Sequence, residues 1–256
     1  MITSTHNSKV QLVRALLGRA RERHEQNAFV IEGVRLVEEA LAAGWTFRLV
    51  LHTPDLTGRA GELVRSLAAA GVDLEPVAEN LMGSISETET PQGVLAVLEY
   101  KPLPVPRKLI FVLIPDAIRD PGNLGSLLRT AAAAGVQAVF LPPGTTDAFA
   151  PKVVRAGMGA HFRLPIHTLG WDEIRARVEG LRVYLAEMEG TVPYWQADFR
   201  VPLALVVGGE AEGASPQARK LANQQVVIPM PGKAESLNAA VAGAILLFEV
   251  TRHWMA

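Results

Sequence analysis

A chain of 256 residues with 49% apolar and 20% charged residues can bury a substantial core and is not a disordered tail. Twenty-five Lys and Arg against 26 Asp and Glu give a formal charge of −1, which excludes a uniformly basic coat for nucleic acid but leaves room for a local basic face. The absence of cysteine removes disulfide frameworks, thiolate zinc sites, iron–sulfur clusters and cysteine nucleophiles together. No apolar run approaches the ~20 residues that span a bilayer, and the polar start Met1-Ile2-Thr3-Ser4-Thr5-His6 has no apolar stretch behind it. The expectation is a cytoplasmic protein that does not engage a membrane.

Val10, Val13, Leu16, Leu17 and Ala20 recur at helical spacing, and the periodicity predicts a helix there. The stretch Lys9 to Arg23 carries many basic residues, opposed only by Glu22. It reads either as the solvated face of that helix or as a surface toward RNA. A second helix fits Val34 to Ala43, ended by Gly44, and a third fits Arg59–Ala70. Strands fit Phe47–Leu51, Val72–Val77 and Val94–Glu99, so the first part reads as α/β. Pro102, Pro104 and Pro106 then alternate between Lys101 and Arg107-Lys108, as in an extended linker. The expected division is 1–100, a linker over 101–108, and 109–256.

Beyond the linker, strands fit Leu109–Ile114, Ala138–Leu141, Val183–Ala186, Leu203–Val207 and Val226–Ile228. Helices fit Asn123–Ala134 and, last, Glu235–His253. Strand and helix in alternation predict a parallel sheet covered on both faces. Ligands of such sheets bind beyond the carboxyl ends of the strands, which directs attention to the loops after Ile114, Val207 and Ile228.

The first of these loops holds Asp120-Pro121-Gly122, a turn with fixed φ at proline and freedom at glycine, followed by Asn123 at a helix start and Arg129 six residues on. Asn123 is either a helix cap or a ligand-facing amide, and Arg129 either a surface charge or a site residue. The second loop runs from a buried strand into Gly208-Gly209-Glu210. It matches neither the dinucleotide fingerprint nor a P-loop. The third, Ile228-Pro229-Met230-Pro231-Gly232, leads to Ser236-Leu237-Asn238 at the opening of an apolar helix. Two polar groups where one cap suffices point to a site. Asp116 and Asp120 have an ordinary explanation as turn residues. The six histidines are scattered without metal-ligand spacing, so no metal is expected. Trp45, Trp171, Trp195 and Trp254 show no stacking pattern, and packing in the core or at its edge accounts for them.

These three loops, in this order, resemble the motifs of the SpoU, or TrmH-like, branch of the SPOUT RNA methyltransferases. The first is an Asp-Pro-x-Asn-x-Gly turn with an Arg six residues after the Asn, here Asp120 to Arg129. The second is Gly-x-Glu-x-x-Gly, here Gly208, Glu210 and Gly213. The third is Ile228-Pro229-Met230 with Ser236-Leu237-Asn238. Lys152-Val153-Val154-Arg155-Ala156 with Gly159-Ala160 looks like a further family segment. Asn7-Ser8-Lys9, Phe29-Val30-Ile31-Glu32-Gly33 and Thr90-Pro91-Gln92-Gly93 are similar to the substrate-binding domain that precedes the catalytic one. The resemblance implies a smaller ribosomal-protein-like α/β RNA-binding domain, then a SPOUT-type parallel sheet with a C-terminal trefoil knot, a rare exception to unknotted chains.

It further implies transfer of a methyl group from S-adenosyl-L-methionine to a ribose 2′-hydroxyl of RNA by a homodimer, without metal and without DNA as substrate. The two-domain form implies large-subunit (23S) ribosomal RNA. Transfer RNA is the alternative substrate, and a non-catalytic RNA-binding module is the alternative of another class. Asn123, Arg129, Glu210, Ser236 and Asn238 are the implied catalytic set. Gly208, Ile228, Met230, Gly232 and Leu237 are the implied cofactor contacts.

Overall fold

The computed structural model describes residues 1–209, 213–232 and 235–255. The chain forms two compact units, 1–101 with 149–162, and 102–148 with 163–256. In chain order the elements of the first are α1 (Ser8–Gly18), α2 (Ala20–Gln26), β1 (Ala28–Glu32), α3 (Val34–Ala42), β2 (Phe47–His52), α4 (Gly58–Ala69), β3 (Leu74–Pro76), α5 (Glu79–Ile85) and β4 (Val94–Glu99). The second opens with β5 (Phe111–Asp116), α6 (Pro121–Ala133) and β6 (Ala138–Leu141). The short helix α7 (Pro151–Gly157) returns to the first unit. The second unit then continues through β7 (Ile166–Thr168), α8 (Trp171–Arg177), β8 (Arg182–Ala186), β9 (Val192–Pro193), β10 (Leu203–Gly208), α9 (Pro216–Leu221), β11 (Gln224–Val227) and α10 (Ala239–Met255).

The first sheet has the order β1-β4-β2-β3, with β4 antiparallel to both neighbours and β3 parallel to β2. Its strands alternate between two cores, as the two-residue period of a strand requires. Val30, Leu49, Leu51, Leu95 and Val97 face α1 and α5. Phe29, Ile31, Val50, Ala96 and Leu98 face α3 and α4, and Val154 and Phe162 join them there. Residues 149–162 fall within the range the sequence assigns to the second domain, but they pack with this unit through aromatic edges. Phe149 meets Phe29 at 5.0 Å and Tyr100 at 4.7 Å between ring centroids, and Phe162 meets Trp45 at 5.5 Å.

The early basic stretch is largely committed to this unit's own groups. Lys9 donates to Asp73 and Glu75 at 2.7 and 2.6 Å, and those hydrogen bonds hold its ammonium above the usual lysine range. Arg14 donates to Ser84, and Arg21 pairs with Glu25. Arg23 is buried and donates to the Leu16 carbonyl at 2.6 Å, satisfying an orphan acceptor at the end of α1. The helix breaks at Arg19, whose φ of −133° is extended, so Ala20 belongs to α2 and not to the helix of Val10–Leu17.

The second sheet is parallel throughout, in the order β7-β6-β5-β10-β8-β11-β9. One face carries Val112, Ile114, Phe140, Leu185 and Val206 against Ile174 of α8 and Ala218 of α9. α10 packs on β10 and α6, and Thr251 donates to the Ala134 carbonyl at 3.0 Å, tying the ends of the two helices. The order in which strands are added reverses between β5 and β10, the switch point at which ligands of open α/β sheets bind.

Two helix starts differ from the sequence expectation. α6 begins at Pro121, because Asp120 is the cap: its Oδ1 accepts the Asn123 N–H at 2.8 Å. The last helix begins at Ala239, not Glu235, so Ser236 and Leu237 lie ahead of it and Asn238 is its cap.

Candidate active site

The carboxyl ends of four adjacent strands meet at one edge of the second sheet. Gly208 of β10 stands in register with Asp116 of β5, and Val207 with Ala186 of β8. Val226 of β11 is in register with the same Ala186. A cavity of about 390 Å³ opens at the ends of β8, β10 and β11. Its apolar wall includes Val207, Ile228, Met230, Leu237 and Ala242, and its charged wall is Glu187, Glu189 and Arg219. Size and lining both suit a small organic ligand with one apolar and one polar side.

The structure places the sequence-predicted residues in two groups. Gly208, Ile228, Met230, Leu237 and Ser236 line the cavity, and Gly232 is exposed outside the lining. Asn123 and Asn238 meet beside it, the Asn238 Nδ2 donating to Asn123 Oδ1 at 2.8 Å. The amide orientation follows from capping. Asn238 Oδ1 accepts the N–H groups of Ala240 and Val241 at 2.9 and 3.2 Å, so its Nδ2 is the end that turns outward. Because Asp120 caps α6, the Asn123 side chain is released from that duty and joins the first loop to the third. Arg129 lies exposed on α6, outside the cavity lining, with no hydrogen bond or ion pair among the described residues. Glu210 lies outside the described residues.

Sequence reasoning passed over the groups that fix these loops. Asp116 is 1% exposed, and its Oδ2 accepts the Ser215 N–H at 2.6 Å, drawing the chain that follows Gly213 toward β5. Ser215 in turn caps α9 through the Ala218 N–H. Ala117 adopts a φ of 55°, with its N–H donated to Thr145 Oγ1 at 3.1 Å, while Thr145 donates to the Pro115 carbonyl. That conformation presses the Ala117 carbonyl against Gly209, where an added Cβ would collide with it. Arg219 donates from two nitrogens to Glu187 Oε1, the Nε bond measuring 2.8 Å. The Glu187 carboxylate holds this guanidinium above its ordinary range. The only signal in the sequence for Asp116 is a charged residue ending an otherwise apolar strand; Glu187 and Arg219 carry none, because they meet only in three dimensions.

Comparison with known proteins agrees with the geometry. Residues 110–248 match the model of the SpoU rRNA Methylase family, and residues 7–96 match the MRM3-like substrate binding domain. The chain is 37% identical to the 23S rRNA (guanosine(2553)-2′-O)-methyltransferase RlmP of Bacillus subtilis over 97% of its length and 98% of the relative's. Among solved structures it resembles the SpoU methyltransferase AviRb from Streptomyces viridochromogenes in complex with AdoMet. That likeness has a TM-score of 0.91 and 30% identity, and covers 98% of this chain and 99% of the other. It also resembles an AdoMet-bound rRNA methyltransferase from Sinorhizobium meliloti, with a TM-score of 0.87, 33% identity and coverage of 100% and 98%. A match spanning more than half of the chain, on the loops that build the cavity, establishes that this protein belongs to the SpoU rRNA methylase family.

Proposed function

We propose that this protein methylates a ribose 2′-hydroxyl of large-subunit ribosomal RNA with S-adenosyl-L-methionine as donor. The observation that carries the reading is the cavity at the carboxyl ends of β8, β10 and β11, in a chain of this family whose relatives are named for that reaction. The residues fit the donor: an apolar wall of Val207, Ile228, Met230 and Leu237 suits a purine, and the carboxylates of Glu187 and Glu189 suit hydroxyl and ammonium groups. Gly208, Ile228, Met230 and Leu237 would hold it, with Gly232 shaping the turn between them. When bound, it supplies a sulfonium-activated methyl group, so the chain itself need only align and deprotonate the acceptor oxygen.

Arg129 is the cation assigned to that oxygen. A guanidinium keeps its proton throughout the working range of pH and does not act as a base. It instead draws the RNA phosphate and the 2′-oxygen together and stabilises the negative charge that develops there, while the phosphate or a water accepts the hydroxyl proton. Asn123, joined to Asn238, ties α6, which carries Arg129, to the third loop. Ser236 meets the ligand from the third loop, and Glu210 is assigned to orient Arg129 or the last helix. The first unit, matching a substrate-binding domain, selects the RNA. The 2′-hydroxyl makes DNA a poor substrate. The family resemblance adds a knotted C-terminus, a cytoplasmic setting and a homodimer, the last supported by the exposed apolar residues Val241, Phe248 and Met255 on α10.

Arg129→Lys tests the assignment. A lysine keeps the charge and loses the fork, so methyl transfer is expected to fall by about 100-fold, of the order found when one transition-state donor is removed. Cofactor affinity measured by calorimetry is expected to stay unchanged. Undiminished transfer by the lysine variant would remove the bidentate role.

A further inference from the structure

We infer that Glu187 selects the ribose of the cofactor, its carboxylate accepting hydrogen bonds from the vicinal hydroxyls of an unphosphorylated nucleoside. The inference rests on the cofactor reading above and names a contact within that site. Glu187 follows the last residue of β8 and lines the cavity. Its side chain is 13% exposed, so its acceptors are largely withdrawn from water. Arg219 directs two donors onto the single oxygen Oε1. The second oxygen, Oε2, has no partner among the described residues. A carboxylate offers about four acceptor positions, and those of Oε2 remain open to a donor in the cavity. A ligand with two neighbouring hydroxyl donors supplies the match.

The carboxylate cannot easily swing away. The Glu187 N–H donates to the Val226 carbonyl at 3.0 Å, and the Glu187 carbonyl accepts the Gly190 N–H at 3.2 Å. Gly190 itself lies so close to β11 that an added Cβ would sit 2.8 Å from the Val226 carbonyl carbon. Arg219 approaches from α9, so the pair bridges two elements and stands beside Gly213, at the return of the second loop. Arg219 is thus a positioning residue that presents Oε2 to the cavity. Charge narrows the ligand further. With Arg219 beside them, Glu187 and Glu189 still leave one negative charge in excess among these three lining residues, which disfavours a phosphate and accepts a neutral diol or a cation.

Calorimetric titration of the full chain with S-adenosylhomocysteine and with its 2′-deoxy and 3′-deoxy counterparts tests this. The neutral sulfur removes any contribution from sulfonium charge. Loss of a hydroxyl is expected to weaken binding roughly 10- to 100-fold, the range for a hydrogen bond to a charged group. Glu187→Gln is expected to shrink that gap to less than about threefold, because its neutral amide weakens the two-hydroxyl ligand more than either deoxy ligand. Glu187→Asp, which keeps the charge but withdraws the carboxylate by one methylene, carries the same comparison if the glutamine variant does not fold. Equal affinity of the parent protein for all three ligands, or a gap that persists in the variants, overturns the assignment and leaves the cofactor reading standing. Absence of binding to any of them removes both.

Discussion

Asp116 and Asn238 each hold two parts of the site at once, and both do so with ordinary hydrogen bonds. Asp116 keeps one oxygen on the Ser215 N–H, while Oδ1 is buried with no partner among the described residues. Removing the side chain would leave that amide unmatched in the interior. Asp116→Ala is therefore expected to cost about 1–3 kcal/mol of stability, read as a lower midpoint in urea unfolding. An unchanged midpoint would show that the loop after Gly213 is held by something else. Asn238 was legible as a residue of interest because two polar groups opened an apolar helix. Its partner was not legible, since Asn123 lies 115 positions away and becomes available only when Asp120 takes over the cap. The same holds for the basic residues near the N-terminus. Their count leaves open a solvated helix face or a surface toward RNA, whereas Lys9, Arg14, Arg21 and Arg23 are engaged with groups of their own unit.

Except at the start of the last helix, long elements with clear periodicity match their expected ranges to within a residue or two, and β4 and β6 coincide with theirs. The parallel sheet of the second unit followed from strand and helix in alternation. Short elements escaped notice for physical reasons. β1 is five residues buried on both faces, and such a run carries no alternation to separate strand from helix. α7 and α9 span barely two turns, too few to show a helical stripe. The last helix is expected from Glu235, with Ser236 and Asn238 in its first turn, yet Asn238 is its cap. The meeting of the first two loops gives the test at this scale. Gly209→Ala would drive a methyl group into the Ala117 backbone, which cannot yield as a side chain does. We expect a loss on the order of 1–3 kcal/mol and weaker cofactor binding in the same titration. A variant with the parent's melting temperature and affinity would mean that the two loops do not need this contact.

At the scale of the molecule, one unit offers a mixed sheet matching a substrate-binding domain, and the other a parallel sheet whose strand ends build a cavity. This division of labour separates the choice of RNA from the transfer of the methyl group. It also explains why the sequence is more informative about chemistry than about target. Catalytic loops carry residues of fixed type at fixed spacing, whereas RNA shape is read by a whole surface. No group of side chains able to hold a metal is found among the described residues; the proposed transfer draws on the donor's own activation. The most direct measurement is a map of 2′-O-methylated riboses in the RNA of cells with and without this protein. We predict that one position in large-subunit ribosomal RNA loses its methyl group when the protein is absent and regains it with the parent chain but not with Arg129→Lys. Loss confined to transfer RNA would move the activity to that substrate, and an unchanged map would contradict the account.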